Sequence, residues 1–149
     1  MLKTFAVITL ISASIHARAD NAPAHCATLD KQQAKILFER WNSTLQSGDS
    51  GKVAANYTAD AVLLPTLSNQ PRTDLAGKLD YFNSFLKKKP IGTLDSSTVI
   101  SSCNSAIDTG TYTFRFSDDS NVKARYTFTY ALIDKQWLIT SHHSSAMPE

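Results

Sequence analysis

Thr109-Gly110-Thr111-Tyr112-Thr113-Phe114-Arg115-Phe116-Ser117 alternates aromatic and hydroxylated side chains, the period of a strand with one dry face and one wet face. Tyr112, Phe114 and Phe116 fall on one side of it, and Thr113 and Arg115 on the other. The same habit continues on both flanks. Leu94 to Cys103, Ala106 to Ser117, Asn121 to Asp134 and Gln136 to Ser145 are rich in Thr, Val, Tyr, Phe and Ile, with turn residues such as Asp118-Asp119-Ser120-Asn121 between them. This pattern predicts a meander of long antiparallel strands.

Upstream of Gly92 the period is helical. Asp30 with Gln33 three residues later forms a capping box, and Ala34, Leu37, Phe38, Trp41 and Leu45 recur at helical spacing until Gly48, which predicts a helix over Asp30 to Ser47. A shorter helix is expected from Gly51 to Tyr57, then a short strand or bend at Ala61-Val62-Leu63-Leu64 that Pro65 stops. Thr73 caps a third helix whose stripe is Leu75, Leu79, Phe82, Phe85 and Leu86. It ends in Lys87, Lys88 and Lys89, where positive charge suits the helix dipole. Helices first and strands after indicate an α+β fold with helices on one face of a bent antiparallel sheet.

At 149 residues, 42% of them hydrophobic, the chain supports one domain. It carries 15 basic and 13 acidic residues, but the first nineteen hold Lys3 and Arg18 and no acid, so the remainder balances at 13 of each. A neutral chain with scattered bases lacks the electrostatic footprint of a nucleic-acid binder. Lys3, the apolar run Phe5 to Ile11 and Ala17-Arg18-Ala19 read as a signal peptide over 1–19, cut after Ala19. That run is too short to span a bilayer. The expected product is secreted or periplasmic and holds no membrane span after cleavage. It has a lead-in at 20–29 and a domain at 30–149. An oxidising compartment and an even cysteine count favour a Cys26–Cys103 disulfide over two separate buried thiols.

Particular words sharpen the architecture. Phe38-Glu39-Arg40-Trp41-Asn42, Gly48-Asp49, Tyr57 before Ala61 to Pro65, Asp80-Tyr81-Phe82, Gly110 to Phe114, Ala124-Arg125-Tyr126-Thr127-Phe128, and Trp137-Leu138-Ile139 through His142 to Pro148 occur in this order. The chain resembles secreted bacterial relatives of the calcium/calmodulin-dependent protein kinase II association domain, within the nuclear transport factor 2-like superfamily. The resemblance implies a cone-shaped fold of three helices on a strongly bent sheet, with an internal pocket and a homodimer or larger ring built through the sheet. It does not imply kinase chemistry. The chain has no Gly-rich phosphate loop with a lysine strand and no His-Arg-Asp loop. Calmodulin is not an expected partner, since no basic amphipathic helix is present.

Pocket residues follow partly from this resemblance. It places His143 and Arg115 inside the cone as polar anchors, and a guanidinium there would select a carboxylate or phosphate. It also puts two further pocket arginines at positions held here by Phe128 and Ser144, so a site of several arginines is not expected. Trp41, Tyr57, Phe82 and Trp137 are placed to line or plug the cavity, with core packing the commoner role for aromatics of this kind. Adjacent residues on a strand face opposite ways, so one of His142 and His143 looks into the cone and the other outward; with the resemblance putting His143 inside, His142 joins Arg125 as a residue for a subunit interface. Asp49, Asp60, Asp80 and Asp108 read mainly as turn or cap residues. No spacing points to a metal or cofactor. The expected function is binding of a small, anionic or aromatic ligand by a non-kinase oligomer. The alternatives are an isomerase, dehydratase or cyclase using a histidine with a pocket carboxylate or Tyr, and an assembly module with a vestigial pocket.

Overall fold

Helix α1 (Lys31–Gln46) starts where the sequence places it. The Asp30 carboxylate accepts from the Gln33 N–H, and the Gln33 side chain accepts from the Asp30 N–H. Its buried stripe of Ala34, Leu37, Phe38, Trp41 and Leu45 supplies much of the core. Each large apolar side chain there contributes roughly 1.5–3 kcal/mol by leaving water. The structure is a computed structural model and describes residues 26–66 and 68–148. The leader expected over 1–19, its cut after Ala19 and most of the lead-in lie outside the described residues.

Asp49 caps α2 (Ser50–Ala54). This helix is shorter than expected because Asn56 turns its amide back onto the Lys52 and Val53 carbonyls, ending the helix before Tyr57. Tyr57 instead opens strand β1 (Tyr57–Leu64). Asp74, not Thr73, caps α3 (Leu75–Phe85), since its carboxylate reaches the Gly77 N–H. A short 3-10 turn at Leu86–Lys88 follows α3.

The remaining strands are β2 (Ile91–Ser102), β3 (Ser105–Arg115), β4 (Asn121–Ile133) and β5 (Gln136–Ala146). Their antiparallel meander is the predicted one, and the sheet order is β1-β5-β4-β3-β2. β1 is the exception, because it pairs with β5 in parallel. Two bulges bend the meander, one between Leu94 and Ser96 of β2 and one where β5 passes Thr129 and Tyr130 of β4. At the first, Gly110 lies so close to β2 that an added Cβ would stand 2.0 Å from the Ser96 carbonyl oxygen.

Side chains tie the two layers together. The Asn42 amide donates to the Gly92 carbonyl and its oxygen accepts from the Gly92 N–H, which pins α1 to β2. Lys78 of α3 is buried and donates to the Ala59 and Ala61 carbonyls of β1, at 3.2 and 2.8 Å. The three helices therefore cover one face of a curled five-stranded sheet, the α+β arrangement expected. Cys26 and Cys103 form a disulfide between the lead-in and the β2–β3 turn. Asn104 secures the same junction, accepting from the Ala27 N–H and donating its own N–H to the Ala27 carbonyl.

Candidate functional site

The helices leave a cavity of about 90 Å³ against the inner face of the sheet. Trp41 and Phe82 reach it from the helices, Tyr112 and Phe114 from β3, and His142 and Ser144 from β5. Val122 and Ala146 are exposed where they border it, and Thr66, Tyr81 and Phe85 are half-buried, so the opening lies among these residues. The walls are aromatic because β3 and β4 present every second residue inward, the period that distinguished their sequences. His142 packs edge-on to Trp41, with ring centres 5.4 Å apart, and lies 4.2 Å from the Phe128 ring centre.

A chain of hydrogen bonds runs through this aromatic lining. Trp41 Nε1 donates to the Tyr57 hydroxyl at 3.0 Å, and that hydroxyl lies 2.9 Å from His142 Nδ1. His142 Nε2 stands 3.4 Å from the Tyr112 hydroxyl, which donates to Ser144 Oγ at 2.6 Å. Ser144 in turn meets the Thr66 hydroxyl at 2.5 Å. Burial, and secondarily the neighbouring His143, pushes the His142 imidazole down to about 3, so it is neutral at ordinary pH. Burial likewise holds the Tyr57 and Tyr112 hydroxyls well above the usual phenol range.

The two expected anchors are not in this cavity. Arg115 is exposed on the outer face of β3, because Tyr112, Phe114 and Phe116 occupy the inner one. His143 is exposed as well, and His142 takes the place that the resemblance gave to its neighbour. The bulge in β5 explains the exchange. Tyr130 pairs with Ile139 while Thr129 pairs with Ser141, so one extra residue shifts the strand's parity. Ile139 and His142 then both face inward, whereas unbroken alternation from Ile139 would have turned His143 in. His143 takes the outward position expected of His142 and borders a shallow depression with Arg125 on the outer face.

Of the expected aromatic lining, Trp41 and Phe82 touch the cavity. Tyr57 stands behind His142 and acts on the cavity through it. Trp137 lies elsewhere, half-buried, with its carbonyl accepting from Arg40. Asp108 is no turn residue but sits in mid-strand and fully buried, accepting from Ser97 and Tyr126. Burial raises its carboxyl above the usual range. Asp80 pairs with Arg72 at 2.9 Å beside the cavity wall at Tyr81. Tyr112, Ser144 and Thr66 went unassigned as polar site residues in the sequence. The first was legible from its place beside Phe114, whereas Ser144 required the bulge and Thr66 the fold. Among the described residues no group of His, Cys, Asp and Glu is arranged to hold a metal ion. No described helix is long and apolar enough to cross a membrane.

Residues 30–148 match the family of the calcium/calmodulin dependent protein kinase II association domain. A crystal structure from Xanthomonas campestris, assigned to that same domain, is 44% identical, with a TM-score of 0.76 over 83% of this chain and 95% of that one. A nuclear transport factor 2-like protein of unknown function from Pseudomonas putida KT2440 is 19% identical, with a TM-score of 0.69 over 79% of this chain and 87% of its own. A protein of that family from Streptomyces avermitilis, assigned as a dehydratase, is 14% identical, with a TM-score of 0.70 over 79% of this chain and 96% of its own. At these identities the last two show the fold alone. No curated protein matches the chain.

Proposed function

We propose that this chain, which belongs to the calcium/calmodulin dependent protein kinase II association domain family, is a secreted, non-kinase, homo-oligomeric domain that holds a small apolar molecule between its helices and its sheet. The observation that carries the reading is the cavity of about 90 Å³, aromatic on nearly every side, with a neutral imidazole and no cation among its lining residues. A carboxylate or phosphate entering it would shed water without gaining a counter-charge. The anionic ligand expected from Arg115 therefore loses its support, and the aromatic one keeps it.

Proton-transfer catalysis is not favoured. Both nitrogens of His142 face phenol hydroxyls, and no carboxylate hydrogen-bonds them among the described residues. An imidazole that titrates near 3 is a poor base at neutral pH. The disulfide and the leader-like start support secretion. Family membership supports assembly, and the outer face with Thr109, Arg125, Thr127 and His143 is the surface we assign to it.

The test is a melting-temperature screen with small uncharged aromatics and their carboxylate analogues, on wild type and on Ala124→Phe, which fills the cavity. Uncharged compounds at 100 times Kd should stabilise wild type by about 2.7 kcal/mol and leave the filled variant unmoved. Stabilisation by the carboxylates alone would refute the reading. Light scattering that finds a monomer at micromolar concentration would remove the assembly half.

A further inference from the structure

The hydrogen bonds of the cavity can be assigned a direction, because some members have only one option. Trp41 Nε1–H only donates, and it donates to Tyr57. If His142 Nδ1 carried a proton, Tyr57 would accept twice and its own hydrogen would be buried without an acceptor. Tyr57 therefore donates to Nδ1, which leaves the imidazole proton on Nε2, facing the Tyr112 oxygen. Tyr112 spends its single hydrogen on Ser144. Ser144 and Thr66 then have two hydroxyl hydrogens for the one bond between them. One hydrogen is left over, whichever of the two donates, and no acceptor for it exists among the described residues.

That surplus lies beside the exposed Val122 and Ala146, at the opening of the cavity. A hydrocarbon would cover it without an acceptor. A carboxylate would receive one hydroxyl and no positive charge, too little to replace its hydration. A ketone or ester oxygen needs a single donor and brings an apolar body suited to the aromatic walls.

We propose that the Ser144–Thr66 hydroxyl pair is a specificity element, selecting neutral ligands that present one carbonyl-type acceptor at the mouth of the cavity. The inference rests on the pocket reading above and names the ligand class for that site.

The probes are cyclopentanone, its isostere methylenecyclopentane and cyclopentanecarboxylate, each titrated by NMR into the full domain. Infrared spectroscopy of the bound ketone supplies a second readout. The expected result is binding of the ketone with its carbonyl stretch at lower frequency than in an alkane solvent. In Thr66→Val/Ser144→Ala the surplus hydrogen retreats to Tyr112, behind the opening. Ketone affinity should then fall about fivefold, the worth of one neutral hydrogen bond, with the alkene unchanged. An alkane-like stretch in wild type, or equal losses for ketone and alkene, overturns the proposal and leaves the pocket standing, whereas tightest binding by the carboxylate overturns both. Failure of both ketone and alkene to bind overturns the pocket reading and this one with it. The wild-type spectrum decides the matter even if the double variant does not fold.

Discussion

Tyr57 and His142, 85 residues apart in the chain, meet at 2.9 Å between the phenol oxygen and imidazole Nδ1. The contact joins the first residue of β1 to the middle of β5, and it also receives the Trp41 indole N–H from α1. Removing the hydroxyl strands two buried groups at once. Tyr57→Phe should destabilise the domain by about 2–6 kcal/mol, at roughly 1–3 kcal/mol for each polar group left unpaired. Urea unfolding measures it, and a loss under about 1 kcal/mol would mean that the two groups find other partners.

His142 also sets a pH dependence. The unfolded chain protonates this imidazole below about 6.5, whereas the folded one resists until about 3. The unfolded state thus binds more protons across that window. Stability is full above about 6.5 and falls as pH drops, by up to about 1.4 kcal/mol per unit. The buried Asp108, whose carboxyl is raised, acts in the opposite sense and flattens the acid end. Denaturant midpoints measured from pH 7 to pH 4 should fall for wild type and fall less for His142→Gln; parallel curves would show that the imidazole is not the group responsible.

The sequence disclosed what depends on local periodicity. The α1 capping box, the aromatic inner face of β3 and the four strands of the meander all appear as expected, since a period of two or of 3.6 is written residue by residue. Two features were not local. The bulge in β5 adds one residue opposite Thr129 and Tyr130, and that insertion decides whether His142 or His143 is buried. Nothing within His142-His143-Ser144 marks it. The parallel pairing of β1 with β5 joins segments about 80 residues apart, so an edge strand looked like a short strand or bend.

Gly110 shows how a long-range approach hides in a sequence that reads as ordinary strand. Its Cα faces the bulged part of β2, where any Cβ would meet the Ser96 carbonyl oxygen at 2.0 Å, backbone against backbone. β3 cannot yield easily, because it is paired on both sides, so relief would require the edge strand β2 to pull out of its pairing. Gly110→Ala should therefore cost more than the usual overpacking range, above about 3 kcal/mol, and reduce the yield of folded protein. The control is Gly51→Ala, where the nearest contact is a side-chain oxygen at 3.1 Å. Unchanged stability in Gly110→Ala would mean that β2 does not bulge toward β3 as described.

The Cys26–Cys103 bridge spans a separation of 77 residues, and for a loop of that length the chain-entropy estimate is about 4.5 kcal/mol. The bridge does not act alone. Leu29, part of the core, donates its N–H to Ser101 Oγ at 2.7 Å, and Asn104 holds Ala27 by one side-chain and one backbone hydrogen bond. None of these bonds involves a sulfur atom, so reduction should act mainly by releasing the unfolded chain. The expected outcome for Cys26→Ser/Cys103→Ser is a loss of about 3–5 kcal/mol with the near-ultraviolet circular dichroism of the aromatic core retained. Ligand binding should persist in this variant below its melting temperature, because neither cysteine borders the cavity. A collapse of the near-ultraviolet signal under native conditions would instead make the bridge a condition for packing the lead-in.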